Sequence, residues 1–219
     1  MGFGSEINCL ILTYKSLVSM AYSKFTLPEI IEKFDLKIKR ETIFDEVNLI
    51  KISDFLKESL FRGYAIALPN GSEKARSELL VSPFLVELKQ INNHSISVFS
   101  GEFLDVDKKR GLNGECDFIL SSNDNQLFID APIFTIVEAK KNDIGESFGQ
   151  CVAQMMGAKL FNETHKKEIK TIFGCVTTGD RWHFLRLKDS VVSISPKDIM
   201  LEGNEDLILG TLQKIVEET

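Results

Sequence analysis

Residues Pro132 to Lys140 read Pro-Ile-Phe-Thr-Ile-Val-Glu-Ala-Lys, an apolar and β-branched run that stops on a carboxylate and an ammonium. In an extended chain residues i and i+2 share a face, so Glu138 and Lys140 project together from the end of a strand buried on both sides. Charges taken out of water are costly unless they are paired or hold a metal, so this ending implies a task for the two groups. The chemistry that fits is phosphodiester hydrolysis. It needs a hard cation, Mg²⁺ with Mn²⁺ as substitute, to hold phosphate oxygens and to acidify a water.

Three more residues complete the candidate set. Asp117, on the strand before, could converge with Glu138 on one cation. Glu78, from an upstream helix, would be a further metal ligand or an outer acceptor. Gln150, on the helix that follows, would be a neutral positioning group. Lys140 would orient the attacking water or stabilise charge growing on the phosphate. Each has a plainer reading. Glu138 and Lys140 could form a strand-end salt bridge facing solvent. Asp117 could bond backbone amides, with Glu115 on the same face as its rival in another register. Glu78 could pair with Lys74 one turn earlier. Gln150 could be a buried amide tying helix to sheet.

The elements that must position these groups follow from periodicity. Residues 1 to about 70 form a small α/β extension. In it, Leu27-Pro28-Glu29 opens a short helix, Leu36–Arg40 alternates as a strand, and Ser53 caps a helix on Phe55, Leu56, Leu60 and Phe61. Pro69-Asn70-Gly71-Ser72 is a turn and the boundary to a second unit, residues 71–219. There, Glu73 to Gln90 is helical with a kink expected at Pro83. His94 to Leu104 and Gly114 to Leu120 are strands, and Ile144 to Asn162 is a helix with small residues Gly149, Ala153, Gly157 and Ala158 on one side. Gln150 and Gln154 share a face away from its main apolar stripe. Lys170 to Thr177 and Trp182 to Leu187 make a hairpin, and residues 205 to 217 a closing helix.

Bulk numbers set limits. With 26 Lys+Arg against 32 Asp+Glu the formal charge is −6, which argues against a broad basic coat for nucleic acid but not against clustered carboxylates that hold cations. Cys9, Cys116, Cys151 and Cys175 show no C-x-x-C spacing, so reduced thiols are expected rather than a zinc site or a disulfide framework. No apolar run has the length of a membrane span, and the Cys9–Leu12 stretch lacks the basic start and cleavage site of a signal peptide, so a cytoplasmic protein is expected. His94, His165 and His183 are scattered and read as structural, and Trp182 reads as core. There is no phosphate-binding loop of the kind that binds ATP.

The order helix glutamate, strand aspartate, then (D/E)-X-K resembles the PD-(D/E)XK nuclease superfamily, the restriction-endonuclease-like fold. Here it reads Glu78, Asp117 and Glu138-Ala139-Lys140. The resemblance covers roughly Glu73 to Leu187 and is nearest the branch with the nuclease segment of type I restriction enzymes. Val137-Glu138-Ala139-Lys140, Gln150 and Thr178-Gly179-Asp180-Arg181-Trp182 match that branch in order. Cys116 stands where proline often precedes the aspartate, and Gln154 where a tyrosine often follows the helix glutamine. The resemblance implies an α/β fold with a central mixed sheet flanked by helices, and Mg²⁺-dependent cleavage of nucleic acid, DNA in the first instance. A homodimer would suit cutting of both strands. The rivals are a non-cleaving domain of the same fold that binds nucleic acid or protein, and an RNA-processing nuclease.

Overall fold

The computed structural model describes residues 21–140 and 144–219; the Cys9–Leu12 stretch lies outside them. The strands are β1 (Lys37–Arg40), β2 (Ser97–Phe103), β3 (Glu115–Ser121), β4 (Ile133–Ala139), β5 (Thr171–Thr177), β6 (Arg181–Lys188), β7 (Val191–Ile194) and β8 (Ile199–Met200). They join one eight-stranded sheet in the order β1-β7-β6-β5-β4-β3-β2, with β8 on β6. The sheet is mixed. The β1–β7 and β4–β5 pairs are parallel, and the other neighbours run antiparallel.

The helices are α1 (Leu27–Lys33), α2 (Asp54–Asn70), α3 (Glu73–Arg76), α4 (Ser82–Ile91), α5 (Ile144–Thr164) and α6 (Glu205–Glu217). Two apolar cores lie on opposite faces of the sheet. One joins Leu56, Leu60, Leu80, Phe84 and Ile208 of the helices to Phe118, Phe173, Trp182 and Phe184. The other joins Ile30, Val152, Met155 and Ala158 to Ile119, Ile136, Val176 and Leu185. Adjacent strand residues go to opposite cores (Phe118 and Ile119, Phe184 and Leu185), as the period of two requires. Helix α5 is the crossover that the parallel β4–β5 pair needs.

Strand β4 is buried along its whole length, as the continuous apolar run predicts. Simple alternation does not hold through it, however. Leu120 pairs Thr135 while Ser121 pairs Ile133, so Phe134 is the extra residue of a bulge. Phe134 and Val137 therefore share one core, and Ile133 and Ile136 the other.

Two other expectations shift locally. The proposed turn at Pro69–Ser72 begins later, because α2 runs through Pro69 to Asn70 and ends on Gly71. Gly71 has φ +61° and donates its N–H to Ala67 O, a left-handed cap that suits glycine. The kink expected at Pro83 appears as a wide π turn, Ser77–Val81, just ahead of it. The ring of Pro83 would crowd the Leu79 carbonyl of a regular helix, and the looser turn relieves that crowding. Ser53 caps α2 as expected, accepting from Leu56 N at 3.1 Å.

The extension shares the architecture of the rest. Strand β1 completes one sheet edge, and α1 packs on α5, where a Cβ on Gly149 would overlap the Phe25 carbonyl. The other edge, β2, is covered at Val98. Its N–H donates to Gln126 Oε1 (3.3 Å), and its carbonyl accepts from Gln126 Nε2 (2.7 Å). No helix among the described residues is long and apolar enough to cross a membrane.

Candidate active site

Strands β3 and β4 pair from Ser121↔Ile133 to Phe118↔Val137. Continuing that register sets Asp117 opposite Glu138, and there side chains take over from the ladder. Asp117 Oδ2 accepts from Ala139 N at 2.7 Å. Glu138 is 1% exposed, and its two oxygens are held from two elements. Oε1 receives Lys140 Nζ at 2.6 Å and Gln150 Nε2 at 2.6 Å. Oε2 receives Gln154 Nε2 at 2.8 Å.

The sequence explains this convergence. Glu138 and Lys140 leave the same face of β4, the face that looks onto α5. Gln150 and Gln154 are one helical turn apart on α5 and meet that face together. The salt bridge read from the strand is therefore real but not solvent-facing, because the Lys140 side chain is only 23% exposed. The Asp117 and Gln150 plain readings are also satisfied, as a bond to a backbone amide and as a helix-to-sheet tie. In both cases the partner is the site itself.

Burial and the neighbouring Asp117 push the Glu138 carboxyl up to about 7, although Lys140 and Gln154 favour its charged form. Burial likewise raises Asp117, opposed by the Ala139 N–H and by Lys140. For Lys140 burial works against the charge, but Glu138 and Asp117 outweigh it and hold the ammonium above its ordinary value. Two carboxylates in one partly desolvated place, with a single ammonium paired to one of them, leave a local excess of negative charge.

The site opens into a cleft of about 470 Å³ lined by Glu73, Ser77, Glu78, Ser100, Asp117 and Lys140, among others. Glu78 is on the cleft wall, but its side chain is 62% exposed and its ion pair is with Lys74 at 3.7 Å. The helix carboxylate nearest the site is Glu73, 3.6 Å from Lys140 Nζ. Glu73 opens its helix ahead of the apolar stripe, so local pattern does not mark it as a site residue; the Gly71 cap brings that first turn over the end of β4. Gln154 is likewise a site residue outside the expected set. Its i+4 spacing from Gln150 was the available signal.

Residues read as structural are placed so. Trp182 is fully buried, edge-on to Phe84, and donates Nε1–H to Gly179 O. His183 Nε2 lies 2.7 Å from Ser195 O. Cys116, Cys151 and Cys175 are buried free thiols. Glu115 contributes its backbone carbonyl, 3.4 Å from Gln154 Nε2, and also lines the cleft.

Two residues of the site could hold a hard cation. Asp117 and Glu138 supply carboxylate oxygens from neighbouring strand ends, and Mg²⁺ is commonly held by one or two carboxylates with waters completing its shell. No group of three or more His, Cys, Asp or Glu is gathered around one point among the described residues, so Glu78 is not brought into a common cluster with these two. Searches of family models, characterised proteins and solved structures found no match to this chain.

Proposed function

We propose that this protein is a Mg²⁺-dependent nuclease that hydrolyses phosphodiester bonds, with DNA as its first candidate substrate and a restriction-endonuclease-like, PD-(D/E)XK arrangement as its scaffold. The observation that carries the reading is the meeting of Asp117, Glu138 and Lys140 at the ends of two paired strands, beside an open cleft. Asp117 and Glu138 are the residues that would hold the ion. Bound there, it would supply electrophilic activation of a phosphoryl oxygen and a more acidic water. Lys140, kept charged by Glu138, offers positive charge to the phosphate as negative charge builds on it. Gln150 holds Glu138 in place from α5. Water is the nucleophile, and no covalent intermediate with the chain forms. The buried free thiols support action in the cytoplasm, and two copies about a two-fold axis would allow both strands to be cut.

The cleft itself favours a second reading. Among the described residues, Glu73, Glu78, Glu115 and Asp117 face Lys74 and Lys140 along its walls, a balance that repels a phosphodiester unless cations intervene. A domain that binds a partner without cleaving would fit that balance. Nicking of supercoiled DNA, with structured RNA run in parallel, separates these readings. Mg²⁺- or Mn²⁺-dependent cleavage by the wild type, lost in Asp117→Asn and Lys140→Ala with the fold retained, is the expected result. Cleavage of RNA alone would reassign the substrate. Folded protein that cleaves neither and binds no divalent ion would leave the non-cleaving reading.

A further inference from the structure

We infer that Gln154 is a positioning residue that aims the one Glu138 lone pair left for a cation; the inference rests on the metal-site reading above. A carboxylate has about four lone-pair directions, two on each oxygen. Oε1 already accepts two donors, Lys140 Nζ and Gln150 Nε2, both at 2.6 Å. Oε2 accepts one, Gln154 Nε2 at 2.8 Å. The remaining direction therefore belongs to the oxygen that Gln154 grips, and the rotation of the carboxylate about its own axis is set by Gln154 against the other two donors.

The same amide makes a second contact. Beyond Phe118↔Val137, Gln154 Nε2 reaches both Glu138 Oε2 of β4 and, at 3.4 Å, the Glu115 carbonyl of β3. It thus ties together the two strand ends that carry Asp117 and Glu138. Gln154 is fully buried, and its Oε1 has no hydrogen-bond partner. An unsatisfied buried carbonyl is a cost to the fold, and it is borne in the orientation that directs the N–H groups at Glu138 and Glu115. This assigns Gln154 to the metal-holding carboxylates rather than to substrate contacts.

The test compares Gln154→Met, which keeps the volume and removes the amide, with wild type and with Glu138→Ala. Mn²⁺ affinity is read by electron paramagnetic resonance, fold by thermal melting, and kcat and KM by plasmid nicking. Gln154→Met is expected to remain folded and to bind Mn²⁺ about ten- to a hundredfold more weakly, with kcat reduced and KM for DNA little changed. In the Glu138→Ala background the same change should cost no further Mn²⁺ affinity. Wild-type Mn²⁺ affinity in Gln154→Met, or an equal loss with Glu138 already gone, overturns the inference. If Gln154→Met does not fold, Gln154→Leu substitutes, which also lacks the amide, with the same weakening expected and wild-type affinity again overturning the inference. Wild-type protein that binds Mn²⁺ but cuts nothing removes the nuclease reading while the affinity comparison still decides the role of Gln154. Wild-type protein that binds no Mn²⁺ overturns both.

Discussion

Lys140 Nζ lies 2.6 Å from Glu138 Oε1, and the carboxylate it touches is almost wholly buried. The pair is thus a desolvated one, and desolvation governs what happens when either partner is removed. Buried ion pairs contribute little net stability, but a charge stranded by loss of its partner is expensive.

Lys140→Ala should destabilise the fold by about 2–3 kcal/mol near pH 8, because Glu138 loses the cation that favours its charged form and must either stay ionised unpaired or take up a proton against the bulk pH. The cost should shrink toward about pH 5.5, where Glu138 takes up a proton. Urea unfolding at the two pH values measures this, and an equal cost at both would mean that the pair is far more solvated than its burial implies.

Glu138 also predicts a pH dependence for the metal-free protein. Its folded pKa, about 7, lies above its ordinary 4.5, so the native state holds this proton more tightly than the unfolded chain. The stability that follows is fully present below about pH 4.5 and is lost as the pH rises through about 7, with an upper size of about 3 kcal/mol. Glu138→Gln should flatten the curve over that window. Chemical denaturation in the presence of a chelator, at half-unit pH steps, is the measurement.

Arg76 fastens the helix that carries Glu73 to the turn after β5. Its Nη1 donates to Thr178 O and to Asp180 Oδ1, each at 2.7 Å. The Arg76 side chain is only 13% exposed, so Arg76→Ala should cost about 2 kcal/mol through two lost charge-assisted bonds. Mn²⁺ affinity should stay near wild type, because no bond to Asp117 or Glu138 is touched; calorimetric titration checks that separation.

Gly149→Ala tests the seat of α5. The added methyl would overlap the Phe25 carbonyl, and backbone, unlike a flexible side chain, yields little. Destabilisation of about 1–3 kcal/mol is expected. Because α5 carries both glutamines that hold Glu138, any variant that folds should also bind Mn²⁺ less well. A melting temperature unchanged from wild type would show that α5 can shift freely.

Much of this was legible in the chain because local rules and tertiary packing agree. The run Ile133–Val137 is apolar throughout and became a fully buried strand, and Ser53 caps the helix it precedes. Helix α5 and helix α6 were readable from their apolar spacing. What stayed hidden depends on contacts distant in sequence. The bulge at Phe134 arises from pairing with β3, not from any feature of Phe134 itself. Strand β7 is four residues long and gains its place by pairing with β6 and with β1, more than 150 positions away. At the site, the Glu138–Lys140 pairing follows from strand period alone. The choice between Glu73 and Glu78 required knowing where the turn at Gly71 aims the helix. Gln154 was visible as a helix-face residue, but its role emerges only when that face meets β4.

The amide of Gln126 closing over Val98 also bears on how two molecules can meet. It occupies both main-chain valences where an incoming strand would add to the sheet. At the far edge Lys37, Lys39 and Arg40 present like charge to any identical neighbour. Sheet extension is thereby discouraged at both margins, so self-association of this protein, if measured, should map to helical or loop surfaces and should not seed cross-β growth from the folded state.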